Sequence, residues 1–196
     1  MESYSPLAVF AFVSSITPGP NNMMLSASGL AFGFRRTIPH IVGVWFGFVL
    51  LLITCALGLG VLVVQFPVVG VALKVVGSFY LLYLAWTLRR ALHPAESRRS
   101  KRPLRFQEAA AFQFINPKAW VMGATAIAVF GSNSEPVWLA TASVCAVFSI
   151  VGVPCICSWA ALGASIRPWL VCQKKRQVFS VCLTLLMIYA IVAMWV

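Results

Sequence analysis

The stretch TPGPNN, Thr17–Asn22, interrupts an apolar run that extends from Leu7 to Phe34. Its two prolines each remove a backbone donor and clash with the preceding helical turn, and the glycine between them allows many backbone angles. The stretch therefore predicts a break between two helical segments that together are long enough to cross a bilayer. Because lipid cannot satisfy the freed backbone groups, we expect the break to be buried in protein or to line a wet cavity.

The composition is that of an integral membrane protein. The 196 residues are 61% hydrophobic and 10% charged, and the mean hydropathy is +0.91. Runs of about 20 apolar residues indicate membrane-spanning helices. Six such spans are predicted, at about 5–34, 38–64, 68–89, 106–131, 136–165 and 177–195. They occupy most of the chain, so the sequence predicts one all-α transmembrane domain, residues 1–196, surrounded by membrane lipid.

The basic residues are confined to alternate loops. Apart from Lys74 and Lys118, every Lys and Arg lies at positions 35–36, 89–105 or 167–176. Basic loops face the cytoplasm. The pattern therefore predicts a multi-pass protein with both termini on the outer side of the membrane. It also accounts for the net charge of +11 without a nucleic-acid partner.

A second interruption, Asn116-Pro117-Lys118, mirrors the first. Pro18 and Pro117 each lie about a dozen residues into a span, which places both roughly 18–20 Å deep, near the bilayer midplane. The basic loop 92–105 divides the chain into halves of about 1–91 and 106–196, each with three spans. Three spans per half give the halves opposite orientations, as in inverted-repeat transporters. The alternative is that the two prolines are independent kinks.

Small residues four apart also mark the first two spans, as Gly29-x-x-x-Gly33 and Gly43-x-x-x-Gly47. Such pairs let helix backbones approach closely in lipid. We therefore expect spans one and two to pack against each other through these faces. The same faces would allow a homodimer.

Lys118 is an unusual residue for the centre of a span. A lysine there costs at least about 3 kcal/mol on insertion scales. The acidic residues are Glu2, Glu96, Glu108 and Glu135, all near predicted span ends. Lys118 is therefore expected to contact an anionic group of a substrate, or else to bond the freed carbonyls of the opposing break.

The two breaks provide groups of both signs. The helix N-termini that follow them, near Asn22 and Lys118, attract carboxylates. The carbonyls near Ile16 and Ile115 lose their donors and would suit an ammonium group. A site with a cation but no acid fits a small zwitterion and needs no metal or cofactor. The predicted substrate-binding residues are Thr17, Pro18, Gly19, Pro20, Asn21, Asn22, Gln113, Asn116, Pro117 and Lys118.

These motifs resemble those of the LysE/RhtB family of amino-acid exporters. The resemblance is carried by TPGPN at 17–21, GFR at 33–35, the Gly43 and Gly47 pair, and FINPK at 114–118. It covers nearly the whole chain and is strongest to the cysteine/O-acetylserine exporter branch. The resemblance implies export of amino acids or their derivatives across the bacterial inner membrane, driven by protons. It also implies that the residues of the two breaks form the functional core.

Proton coupling has three candidate residues. His40 and Glu108 lie at inner ends of spans, and Lys118 lies at the second break. The alternative for His40 and Glu108 is an ordinary interfacial residue.

Three other functions are alternatives to an exporter. A passive channel could be lined by the breaks. A membrane thiol–disulfide electron carrier would need paired cysteines near the breaks, whereas Cys155 and Cys157 are two apart on one helix. An intramembrane enzyme would need a nucleophile with a base, or a metal cluster, and neither pattern is present. We therefore expect a protein that is not an enzyme.

Overall fold

The computed structural model describes residues 4–60, 65–91, 102–131, 136–166, 168 and 173–195, and this part of the chain contains helices but no strand. Its α-helices are α1 Ser5–Ile16, α2 Pro20–Phe32, α3 Phe34–Thr54, α4 Pro67–Ala91, α5 Phe106–Phe112, α6 Pro117–Phe130, α7 Val137–Val147, α8 Val153–Ile166 and α9 Gln173–Trp195. An all-helical protein was expected, and the described residues confirm it.

Two continuous stretches are long and apolar enough to cross a membrane, Phe34–Leu59 and Val137–Ile166. The other apolar helices of the described residues are shorter, at Ser5–Ile16, Pro67–Tyr83, Pro117–Phe130 and Gln177–Ala193. Two of these short helices, α1 and α6, belong to the predicted spans that the proline motifs divide. The six-span arrangement therefore stays a prediction.

The second span begins earlier than predicted. Helix α3 starts at Phe34 and contains Pro39 within it, whereas the sequence predicted a start at about residue 38. The missing Pro39 N–H would have bonded the carbonyl of Arg35, four residues back. Both residues are exposed, so water can satisfy that carbonyl and the helix tolerates the proline.

Span five continues through its proline. A π-helical turn at Phe148–Gly152 joins α7 to α8, and Pro154 is the second residue of α8. A π turn shifts the hydrogen-bond pattern by one residue, and such turns are frequent at functional sites. Helix α3 is followed by a kink at Gly58, whose φ is 95°.

We expected spans one and two to pack against each other through their glycine faces. The structure shows other partners for these faces. A Cβ on Gly29 would collide with the backbone of Ala160 in α8, and one on Gly163 would collide with Ser26 in α2. Gly43 and Gly47 lie in the same way against the backbone of α5, at Phe106 and Ala110. These faces are therefore filled within the chain, which removes the basis for a homodimer through them.

Two apolar clusters lie on opposite sides of the helix breaks. We call the end of the molecule that holds the end of α2 and the starts of α3 and α5 the basic side. The cluster nearer this side, cluster B, combines Leu25, Ile41, Val44, Ala109, Ile156 and Ala160. The cluster on the far side, cluster F, combines Leu7, Ala11, Leu52, Ala126, Val144 and Phe148. Helices α4 and α9 pack mainly on each other and reach α2 through Met187 and Met23.

Candidate functional site

The first break lies where the sequence predicts it, but its backbone conformation does not require a glycine. Helix α1 ends at Ile16, and α2 begins at Pro20, slightly before the predicted start near Asn22. Gly19 has φ −173° and ψ 176°, an extended conformation open to any residue. A Cβ here would, however, lie 2.7 Å from the Cδ atom of Lys118. Glycine at this position therefore gives the lysine side chain room in its observed conformation.

The second break is a short interruption with its own helix cap. A 3₁₀ turn, Gln113–Ile115, follows α5, and Asn116 is the N-cap of α6. The Asn116 Oδ1 atom accepts a hydrogen bond from the Lys118 backbone N–H at 3.1 Å. Pro117 is the first residue of α6, where its missing N–H costs nothing.

Lys118 joins the two breaks directly. Its Nζ atom donates to the Thr17 carbonyl at 2.9 Å, to the Thr17 hydroxyl at 2.8 Å and to the Pro18 carbonyl at 3.4 Å. The two carbonyls lie in the non-helical segment between α1 and α2, where they have no helical donor. Of the two expected roles of Lys118, the contact with the opposing break is the one present in this conformation.

The chain's own donors also occupy the neighbouring carbonyls at the end of α1. The Asn22 amide donates to the carbonyls of Ser15 and Thr17, both at 2.8 Å. The Trp159 indole donates to the Ile16 carbonyl at 3.1 Å. Of the carbonyls to which the sequence assigned a substrate ammonium group, those near Ile16 are therefore already paired.

Asn21 and Gln113 form a second link between the breaks. The Asn21 amide donates to Gln113 Oε1 at 2.7 Å, and the Gln113 amide donates to Asn21 Oδ1 at 3.1 Å. Gln113 is fully buried and also donates to the Ala109 carbonyl at 3.0 Å. The reciprocal pair fixes the start of α2 against span four.

A cavity of about 60 Å³ lies at the meeting of the two breaks. One buried water needs roughly 10–15 Å³ by this measure, so the cavity holds about four to six waters or a small solute. Val44 and Ile156 of cluster B and Phe148 of cluster F belong to its wall. The full lining is Ser14, Ser15, Gly19, Asn21, Asn22, Val44, Trp45, Phe48, Asn116, Lys118, Ala119, Met122, Phe148, Gly152, Val153 and Ile156.

The cavity wall favours a negative group at one point. Helix α2 has no side-chain cap at Gly19, and Gly19, Asn21 and Asn22 all line the cavity. Uncapped N–H groups and the positive end of the helix dipole attract a carboxylate. Lys118 is the charged residue of the lining, which contains no acid. The remaining wall is largely apolar and aromatic, including Trp45, Phe48 and Phe148.

The predicted site residues are thus brought together, with different positions around the cavity. Gly19, Asn21, Asn22, Asn116 and Lys118 line it. Behind them, Thr17 and Pro18 hold the lysine, Gln113 holds Asn21, and Pro20 and Pro117 begin the two helices.

Sequence reasoning missed the contributions of spans two and five. Trp159 bonds the first break, and Trp45 and Phe148 line the cavity. The signal available for Trp159 was a polar indole within an apolar span, because a buried indole N–H usually has a partner.

The two remaining candidates for proton coupling differ sharply in environment. Glu108 is exposed and forms a bidentate pair with Arg102, at 2.6 and 2.8 Å, and it accepts from the Arg105 N–H at the start of α5. His40 is only 1% exposed, so its imidazole is enclosed by neighbouring helices. Among the described residues, neither of its ring nitrogens has a hydrogen-bond partner.

Together, paired helix breaks, apolar helices and a cavity with an unopposed cation define a membrane translocator for small solutes. The LysE type translocator family model matches residues 12–194, and the chain belongs to this family. No solved structure matches the chain.

Several curated relatives carry the name cysteine/O-acetylserine efflux protein. The protein of that name from Klebsiella pneumoniae is 31% identical over 161 residues, 81% of each chain. That from Salmonella typhimurium is 33% identical over 121 residues, 62% of each chain. That from Escherichia coli O139:H28 is 28% identical over 183 residues, covering 93% of this chain and 92% of its own. With the family match, these relatives identify the chain as a bacterial amino-acid exporter of the membrane.

Proposed function

We propose that this exporter carries small zwitterionic amino acids, cysteine or O-acetylserine among them, out of the cytoplasm in exchange for protons. The single observation that carries the proposal is the cavity at the two helix breaks, where Lys118 and the uncapped start of α2 meet. Both features stabilise a carboxylate. The names of the relatives support the choice of cysteine and O-acetylserine.

In this proposal the substrate carboxylate binds at Gly19 and Asn21, beside Lys118. Because the carbonyls at the end of α1 are paired, the substrate ammonium group lies instead toward the aromatic wall formed by Trp45, Phe48 and Phe148. Aromatic faces attract cations, with about 0.5–2 kcal/mol per contact. A second positive charge, as on lysine, would meet no acid in the lining and is disfavoured.

We further propose that the chain is one transporter domain, residues 1–196, built of inverted repeats at about 1–91 and 106–196. The basic loop 92–105 between them is cytoplasmic, and both termini are periplasmic. The matched breaks support this arrangement, since each is followed by a helix whose first residue is a proline. The bonds from Lys118 to Thr17 support a meeting of the two repeats at their breaks.

Transport assays in proteoliposomes test the proposed function. With an imposed pH gradient and no membrane potential, cysteine and O-acetylserine should accumulate in vesicles with an acidic interior, and lysine should not. Collapse of the pH gradient should end the accumulation. Solute that equilibrates through the protein but never accumulates would instead identify a passive channel.

A resistance screen and reporter fusions test substrate and orientation in cells. Overexpression should raise tolerance to toxic concentrations of exported amino acids or their analogues. A reporter fused after Arg102 should be active on the cytoplasmic side, and periplasmic activity there would overturn the proposed topology.

A further inference from the structure

His40 is the one described residue whose buried side-chain nitrogens have no hydrogen-bond partner. The imidazole is 1% exposed. Burial of an unpartnered polar ring is costly, and native proteins seldom retain one without a function or a bound water. A leucine or phenylalanine would pack the same position without that cost. The arrangement therefore needs an explanation beyond packing.

The position of His40 in the fold connects it to the cavity. It lies on the buried face of α3, one helical turn before Val44, which is part of the cavity wall. Four residues correspond to about 6 Å along the helix axis. Two turns beyond His40, Gly47 lies against the side chain of Gln113, which is bonded to Asn21. His40 is therefore placed between the cavity and the basic side.

Polar groups continue from His40 toward the basic side. Thr37, one turn earlier on α3, is fully buried. Its hydroxyl lies 3.1 Å from the Ser28 hydroxyl of α2 and donates to the Gly33 carbonyl at 3.0 Å. Close packing of α2 on α8 and of α3 on α5 shuts this side in the present conformation. Separation of these pairs would expose His40 to the cytoplasmic solution of the proposed topology.

The other titratable groups near this region have different roles. Lys118 uses its ammonium protons to bond Thr17 and Pro18, and Glu108 is paired with Arg102. Helix α2 and the 3₁₀ turn at Gln113–Ile115 carry no titratable side chain. The remaining titratable groups on described elements that pack against α3 are Cys55 directly after α3, Cys145 on α7, and Cys155 and Cys157 on α8.

We propose that His40 is the proton-carrying residue of the exchange, an inference that rests on the proposed proton-coupled export. When the cavity opens outward, a ring nitrogen of neutral His40 accepts a proton that enters from the periplasm, and an N–H bond forms. When the basic side opens, that bond breaks and the proton passes to cytoplasmic water, while a substrate molecule enters. One proton moves inward for each substrate that moves outward, so no other reactant is needed.

The test separates exchange from coupling. Wild-type protein, His40→Gln and the control His93→Gln are reconstituted with radiolabelled L-cysteine under reducing conditions. His93, the other histidine of the chain, lies outside the described residues. Exchange of internal for external cysteine needs no net proton movement, whereas accumulation in vesicles with an acidic interior does. One pH unit supports about tenfold accumulation when one proton is exchanged per substrate.

We expect His40→Gln to keep cysteine exchange within about twofold of wild type, to lose the roughly tenfold accumulation and to show a flat pH profile of net export. His93→Gln should retain both activities.

Accumulation by His40→Gln equal to wild type would overturn the proposal. So would loss of exchange in a folded His40→Gln protein, because that result indicates a structural role. Wild-type protein that exchanges cysteine but does not accumulate it in response to the pH gradient would overturn the coupling but leave export intact. Absence of exchange by wild type would contradict the proposed function itself.

Discussion

The Lys118 ammonium group lies 2.8 Å from the Thr17 hydroxyl, although 101 residues separate the two along the chain. The same nitrogen bonds the Thr17 carbonyl. One cation thereby satisfies groups left free in one broken helix while it belongs to the other. In the proposed binding mode, a substrate carboxylate that approaches Lys118 would compete with these bonds.

Removal of this cation should greatly reduce transport. We expect Lys118→Ala to remain in the membrane and to lose export by about 10–100-fold, because charge-assisted hydrogen bonds contribute about 1.5–3 kcal/mol each. Flux of cysteine in proteoliposomes measures the loss. Lys74→Ala is the matched control, because the Lys74 ammonium lies over the Trp195 ring, 5.8 Å from its centre, away from the cavity. Wild-type kinetics in Lys118→Ala would remove Lys118 from the site.

A methyl group at Gly19 should act through Lys118. We expect Gly19→Ala to lower export, because the added Cβ would displace the lysine side chain. In a Lys118→Ala background the same change has room and should have no further effect on stability, which a double-mutant cycle measures. Equal destabilisation in both backgrounds would show that another neighbour makes glycine necessary.

The pair of Asn21 and Gln113 should contribute as a unit. Because each amide both donates and accepts, loss of either partner removes both hydrogen bonds of the pair. We expect a coupling of about 1 kcal/mol between Asn21→Ala and Gln113→Ala, read from thermal stability in detergent. Strictly additive losses would indicate that the two amides act separately.

The packing of α2 on α8 should tolerate no added volume. We expect Gly163→Ala to destabilise the protein by about 1–3 kcal/mol, because overpacking displaces backbone. Ala161→Val is the control on the same helix, since Ala161 is exposed, and should change stability by less than about 0.5 kcal/mol. A thermal shift assay on both variants decides, and a Gly163→Ala protein as stable as wild type would refute the close approach.

Glu108 should prove dispensable for coupling. Its carboxylate is exposed and held by Arg102 at the start of α5. We expect Glu108→Gln to accumulate cysteine with the pH dependence of wild type. Cysteine accumulation that no longer depends on pH in this variant would indicate that Glu108, and not His40, carries the proton.

The positions of the helix breaks could be predicted because proline acts locally on the backbone. Pro18 and Pro117 therefore mark the breaks from sequence alone. The packing partners of the glycines could not be predicted from sequence, because Gly29 meets Ala160, a residue distant from it in the chain. The burial of His40 was missed for the same reason, since its place near a span end indicated an interface.

Donors from three helices converge on the end of α1. Asn22 of α2, Lys118 of α6 and Trp159 of α8 each bond carbonyls between Ser15 and Pro18. A typical hydrogen bond contributes only about 1 kcal/mol net. If these donors can be exchanged for water or substrate one at a time, the helices can change partners through a series of low barriers. The broken helix would then be a hinge whose backbone carbonyls keep hydrogen-bond partners throughout the movement.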